Sequence, residues 1–303
     1  RERATLAPGC ARCKQGKEAT TIGRRRSSET ASMLMLLSPA KTVDESACRT
    51  GLPQSEPRLK EHTQELLQIL KKKSVADVKK LMSVSDDIAK LNVGRYKDFE
   101  KLKAKQAVLL FDGIAFKGLG ASDFSKADLE FAHEHLRILS GFYGVVRALD
   151  TVKPYRLEMG TRLQTPRGKD LYSFWGDLIT EQLRMDLAAQ PEKEKFIVNC
   201  ASQEYTKSVK FDELPDGVKV LNIQFPAATV YAKTARGQMC RFIILNRIKH
   251  PDGLKGFTGT DGEWAFDKDA STDTNFVFTR KAGAKPRKAP AAPARKAKRT
   301  KAS

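Results

Sequence analysis

The chain has 303 residues, 40% of them hydrophobic, and a formal charge of +19, so it can bury a substantial core and carries a positive excess suited to a polyanionic partner. That excess sits mainly at the ends, since residues 280–303 hold ten Lys or Arg and no acid, and residues 1–32 hold eight basic and three acidic residues. No stretch approaches the roughly 18 consecutive apolar residues of a membrane-spanning helix, and five cysteines at 10, 13, 48, 200 and 240 form an odd, scattered set that argues for a reducing compartment rather than a disulfide framework.

Residues 1–32 show no hydrophobic periodicity and include Arg24-Arg25-Arg26-Ser27-Ser28, which reads as a disordered leader, a processed extension or sequence upstream of the true start. Arg and Ser suit an organellar transit peptide, whereas Glu2, Glu18 and Glu29 oppose one. Cys10 and Cys13 lack the second pair of ligands that a structural zinc site needs. Met33 to Leu37 is a buried-strand run, and Leu59, His62, Leu66 and Leu70 mark an amphipathic helix, with shorter helices near 75–82 and 86–98. Ala107 to Phe111 reads as a second buried strand. Ser125 with Asp128 forms a capping box for a helix whose apolar face runs Leu129, Ala132, Leu136, Leu139 and stops at Gly141, and Val145 to Leu149 reads as a short helix. His133 and His135, two apart, project from different sides of that helix and cannot chelate as an i, i+4 pair. Beyond it, Phe174 to Leu183 predicts one long helix, Phe196 to Asn199 and Val218 to Phe225 two strands, Thr234 to Ile248 a last long helix, and Trp264 to Phe266 with Asn275 to Thr279 closing strands. The pattern predicts one α+β domain over residues 33–280, a mixed β-sheet with surrounding helices. The tail, 281–303, repeats Lys-Pro and Ala-Lys steps and should stay extended and solvated.

The turn Ser140-Gly141-Phe142-Tyr143-Gly144 between two expected helices admits two readings. Glycines at both ends let several N–H groups point outward as a nest for a nucleic-acid phosphate, with Arg147, Lys153, Arg156 and Arg162 nearby. Such a nest would lose DNA affinity but not its fold on Gly141→Val or Gly144→Val. The plainer reading is a helical hairpin with Phe142 and Tyr143 in the core.

Other polar motifs fall at the ends of apolar runs, where an α/β sheet gathers its site: Ser38 to Thr42, Arg167 to Asp170, Ala201 to Lys207 and Tyr231 to Gly237. Each brings a lysine, namely Lys41, Lys169, Lys207 and Lys233, and their convergence would make an anion site. No dinucleotide or P-loop glycine pattern, zincin motif or Gly-x-Ser-x-Gly elbow occurs. The enzyme alternative is a lysine-based nucleic-acid lyase or glycosylase using one of those lysines, with Asp150 or Glu204 as proton acceptor. A small-anion binder is the third class.

Taken together, LSPAKT at 37–42, LSGFYGVVRALD at 139–150, PYRLEMG at 154–160, GKDLYSFWGD at 168–177, NCASQEYTKSV at 199–209 and YAKTARGQMCRFI at 231–243 resemble the YaaA family of peroxide-stress proteins. The resemblance covers roughly Met33 to Arg280 and leaves out the leader and the tail. It implies a cytoplasmic, nucleoid-associated protein of the peroxide response, linked to lowered intracellular iron, with a helix-hairpin-helix element and a basic DNA-binding cleft. No cofactor, metal or settled activity comes with it. Carried onto this chain, the hairpin falls on Leu139 to Leu149, with Ser140, Gly141, Tyr143, Gly144 and Arg147 at the phosphate. The cleft would recruit Lys41, Arg156, Arg162, Lys169, Lys207, Lys233 and Arg236. The expected partner is double-stranded DNA, bent or junction forms included, bound by a monomer with weak sequence readout.

Overall fold

The computed structural model describes residues 31–46 and 51–281; the leader through residue 30, Cys10, Cys13, Cys48 and the tail after residue 281 lie outside them. In chain order the elements are β1 (Ala31–Leu37), α1 (Lys60–Lys71), α2 (Val75–Met82), α3 (Asp86–Lys97), β2 (Lys105–Gln106), α4 (Ala107–Leu110), α5 (Ile114–Leu119), α6 (Lys126–His135), β3 (Leu136–Ser140), β4 (Gly144–Arg147), β5 (Thr151–Val152), α7 (Leu171–Trp175), α8 (Leu178–Ala188), β6 (Glu194–Asn199), α9 (Gln203–Thr206), β7 (Val218–Gln224), α10 (Thr229–Asn246), β8 (Trp264–Asp267) and β9 (Asn275–Arg280). Seven strands form one mixed sheet in the order β4-β3-β1-β6-β7-β9-β8. The five inner strands are parallel, with Met35 opposite Leu136 and Met33 opposite Phe196, and β4 and β8 close the edges antiparallel. Central parallel strands are covered on both faces, which is why β1 is a continuous apolar run, buried at all seven positions, instead of an alternating one. Among the described residues no helix is long and apolar enough to cross a membrane.

The capping box of α6 is present, Ser125 and Asp128 each bonding the other's backbone N–H at 3.2 and 3.0 Å. The helix ends at His135, however, because Leu136 to Ser140 pairs with β1 on one side and β4 on the other. Leu136 and Leu139 continue the helical spacing by coincidence: every residue of β3 is buried, so its sequence carries no alternation to reveal the strand. The stretch expected as helix, hairpin and helix over Leu139 to Leu149 is therefore a β-hairpin. Ala107 to Leu110 is a single helical turn rather than a strand, its first N–H groups spent on the carbonyls of Asp150 and Ala148 at 2.8 and 3.0 Å. The long helix expected through residues 174–183 breaks at Gly176, whose φ of +46° is unfavourable for other residues.

At the amino end of the sheet, His133 and His135 are both packed. His135 donates from Nδ1 to the Met33 carbonyl at 2.9 Å, and Leu149 N–H donates to Nδ1 of His133 at 3.3 Å. Burial first, and then the positive charge of Arg147, holds the His133 imidazole down at about 4 against an ordinary 6.5. A group neutral in the fold but protonated in the unfolded chain lowers stability as pH falls from about 6.5 toward about 4, and leaves it intact above that window. For this half-buried ring the loss should be about 1–2 kcal/mol after solvent screening. Melting curves of His133→Gln across the window should be flatter by that amount; an unchanged slope would assign the acid sensitivity to other groups.

Candidate functional site

Strands β1 and β6 are neighbours, and the chain leaves β1 to build β3 on one side before crossing to β6 on the other. That reversal opens a crevice at the carboxyl ends of the two strands, the usual ligand position in an open parallel sheet. A pocket of about 270 Å³ lies there, lined by the loop Ser38 to Thr42, the turn Gly113 to Phe116, Ser202, Glu204 and, from α10, Lys233 and Arg236.

Its walls are tied down. Ser202 N–H donates to Ser38 Oγ at 2.8 Å, and Asn199 at the end of β6 accepts from Ala201 N–H at 3.0 Å while donating to Asn222 at 2.9 Å. Helix α10 crosses α5 backbone to backbone. A Cβ on Gly237 would collide with the Ala115 carbonyl, and one on Gly118 with that of Thr234. This close approach carries Lys233 and Arg236, three apart and so on one helical face, to the turn at Gly113. The Nε of Arg236 is buried with no hydrogen-bond partner among the described residues, and an unsatisfied buried donor of this kind costs about 1–3 kcal/mol.

The rim is a chain of contacts from the segment Pro154 to Gly160. Glu158 holds Lys41 at 2.6 Å and Arg156 at 3.0 Å. Glu204 accepts the Gly160 N–H at 3.0 Å, and its carbonyl accepts from the Tyr172 hydroxyl at 2.9 Å. Next to Tyr172, Asp170 caps α7 by accepting the Ser173 N–H at 2.8 Å. That bond, then the Ser173 hydroxyl, and more weakly Lys169 and Arg162, hold its carboxyl below the usual range.

Of the residues expected in a basic cleft, the structure brings Lys41, Lys233 and Arg236 together in one pocket with Glu204. Arg156 stands on the rim, Arg162 and Lys169 flank Asp170, and Lys207 lies one turn past Glu204 and outside the pocket lining. Among the described residues no group of three or more His, Cys, Asp or Glu could hold a metal.

The glycine hairpin is elsewhere and turned inward. Ser140, Gly141, Phe142, Tyr143 and Gly144 are all buried. The nest does exist, but the N–H groups of Phe142 and Tyr143 donate to Ser140 Oγ at 3.2 and 2.9 Å, and that oxygen also bonds the Tyr155 hydroxyl at 2.6 Å. The Gly141 carbonyl accepts from Trp175 Nε1 at 3.1 Å, and the Tyr143 hydroxyl accepts from Lys153 N–H at 2.9 Å. Arg147 is paired with Asp150 at 2.8 Å, and Asp150 also accepts from the Ser55 hydroxyl at 2.6 Å. The ligand of this nest is the protein's own serine, and Asp150 is a structural partner rather than a neighbour of the pocket lysines.

The two short helices expected near 75–82 and 86–98 are present as α2 and α3, and the sequence pattern does not mark the turn between them as a site. Helices α2 and α3 are joined by Ser83, Val84 and Ser85, with Ser83 at φ +49° and Val84 N–H closing the turn on the Lys79 carbonyl at 3.2 Å. The Ser85 hydroxyl caps α3 by accepting from Ile88 N–H at 3.4 Å, which leaves the preceding first-turn N–H groups without intrahelical acceptors. Val78, Ala89 and Val93 form a small core of their own, apart from the main one. Lys72, Lys79, Lys80 and Lys90 are exposed around it, with Lys79 pairing Asp86 at 3.0 Å. The capping pattern Ser74 with Asp77, present at 2.9 and 3.1 Å, signals α2, but a Ser-Val-Ser turn without glycine does not advertise itself. At its other end α3 docks on the rim, through Arg95 with Glu45 and the Tyr96 hydroxyl with the Arg156 carbonyl. The turn thus stands about one α3 length, roughly 18 Å, from the cationic rim.

A family model described as peroxide stress protein YaaA matches residues 33–270, a span that contains β1 from Met33 onward, the crevice, the rim and both helices of the α2–α3 unit, and by that match the chain belongs to the YaaA family of peroxide stress proteins.

Proposed function

We propose that this protein binds double-stranded DNA through its phosphates as part of the peroxide response, with contact at the α2–α3 turn and along the cationic rim rather than at the glycine hairpin. What supports the reading is that two phosphate-suited features lie at the two ends of α3: the hairpin of α2 and α3, with an exposed helix start and surrounding lysines, and the rim cations Arg156 and Lys41. Asp86 and Asp87 in the first turn of α3 temper its attraction for anions, so lysine charge around the turn has to supply most of the affinity. Binding of this kind has no base-edge contacts and reads duplex shape at most. Fluorescence anisotropy on labelled duplexes across a salt series, comparing the native chain with one stripped of the turn lysines, tests it.

A further inference from the structure

We infer that the pocket between β1, β6 and α10 binds a single nucleotide unit, a nucleoside monophosphate, independently of the duplex contacts proposed above. At about 270 Å³ the pocket falls just below the range that holds drug-sized ligands, which leaves room for one ring system with a sugar phosphate and excludes a longer oligonucleotide. Its lining is divided by chemistry. Pro39, Ala40, Ile114 and Phe116 make an apolar side suited to a planar ring. Lys233 and Arg236 make a cationic side, and unlike Lys41, which Glu158 neutralises at 2.6 Å, neither has a carboxylate partner within 4 Å among the described residues. The buried Nε of Arg236 has no acceptor among the described residues, and a phosphate oxygen would provide one. Glu204 spends one carboxylate oxygen on the Gly160 N–H at 3.0 Å. Its second oxygen is an acceptor suited to ribose hydroxyls or an exocyclic amine. An anionic head, an apolar body and hydrogen-bond donors facing a carboxylate describe a ribonucleotide better than inorganic phosphate or a simple phosphate ester.

Isothermal titration of the full chain with AMP, GMP, CMP and UMP, set against adenosine, ribose 5-phosphate and inorganic phosphate, reads the inference directly. At least one monophosphate should bind about tenfold or more tighter than any of its parts. Lys233→Ala, at an exposed position, should weaken it about tenfold, the effect of one charge-assisted hydrogen bond; Arg236→Gln should do at least as much, and Glu204→Gln should weaken the nucleotide without affecting inorganic phosphate. A nucleotide unit could also come from a nucleic acid. A duplex with one extrahelical nucleotide, binding more tightly than its fully paired parent with the difference removed by Lys233→Ala, would support the same pocket chemistry with DNA as its source. No binding in either arm, or binding indifferent to Lys233→Ala, overturns the inference. Lys79→Ala with Lys80→Ala should leave nucleotide binding unchanged, which separates failure of this site from failure of the duplex contacts.

Discussion

Gly141→Val should unfold or severely destabilise the protein, by about 3 kcal/mol or more, instead of producing a folded chain that has lost DNA. A Cβ at this position would stand 2.5 Å from the Leu157 carbonyl oxygen and 2.9 Å from the Glu158 carbonyl carbon. Both are backbone atoms of the segment that leads to the rim, so a clash of this size is relieved only by moving that segment or opening the hairpin, and overpacking of a dense core ordinarily costs 1–3 kcal/mol even where side chains can yield. The hydrogen bond from Trp175 to the Gly141 carbonyl, 3.1 Å long in the buried core, would be disturbed as well. Urea denaturation followed by tryptophan fluorescence measures the change. A variant with native stability and absent DNA binding would restore the outward-facing nest.

Asp186→Ala should be comparably damaging for an electrostatic reason. Arg137, on β3, is only 4% exposed. Its Nε donates to Asp186 at 2.5 Å and its Nη1 to the carbonyls of His133 and Leu136 at 3.0 Å each. Asp186, also 4% exposed, further accepts from Arg58 and from Gln182 at 3.3 Å. Removing the carboxylate strands a buried guanidinium beside Arg58 and Arg147, and losing one partner of a buried pair costs about 3–5 kcal/mol, whereas replacing the whole pair with apolar residues is often close to neutral. Asp186→Ala combined with Arg137→Leu should therefore be more stable than Asp186→Ala alone. If the double variant is the weaker of the two, Arg137 is not the stranded charge.

Legibility in the sequence followed the range of the interactions concerned. Strand β1 is readable because five apolar residues in a row, Met33 to Leu37, need no partner to be recognised, and α6 because Ser125 and Asp128 cap it locally. Strand β3 is not, since what makes Leu136 to Ser140 extended is pairing with β1, about a hundred residues earlier in the chain. The crevice residues Lys41, Glu204, Lys233 and Arg236 follow from a topological habit, loops at strand ends, that holds without knowing the strand order. The glycine hairpin misleads because its backbone does form a nest, and only the rotamer of Ser140 decides that the nest is filled from within. Helices α2 and α3 are readable at 75–82 and 86–98, and what stays silent is the shape of the turn between them, where Ser83 adopts a left-handed conformation that a glycine would have announced.

The most direct measurement is the salt dependence of duplex binding by the full chain and by its Lys79→Ala, Lys80→Ala, Lys90→Ala variant, with Lys268→Ala, exposed before β9, as the control. Removing one lysine–phosphate pairing should reduce the slope of log affinity against log salt by about 0.9, so the triple variant should be flatter by up to about 2.7 units and weaker on unrelated duplex sequences alike. The basic ends are common to all three chains and cancel in the comparison. A triple variant with the slope and affinity of the native chain would contradict phosphate binding at the α2–α3 turn.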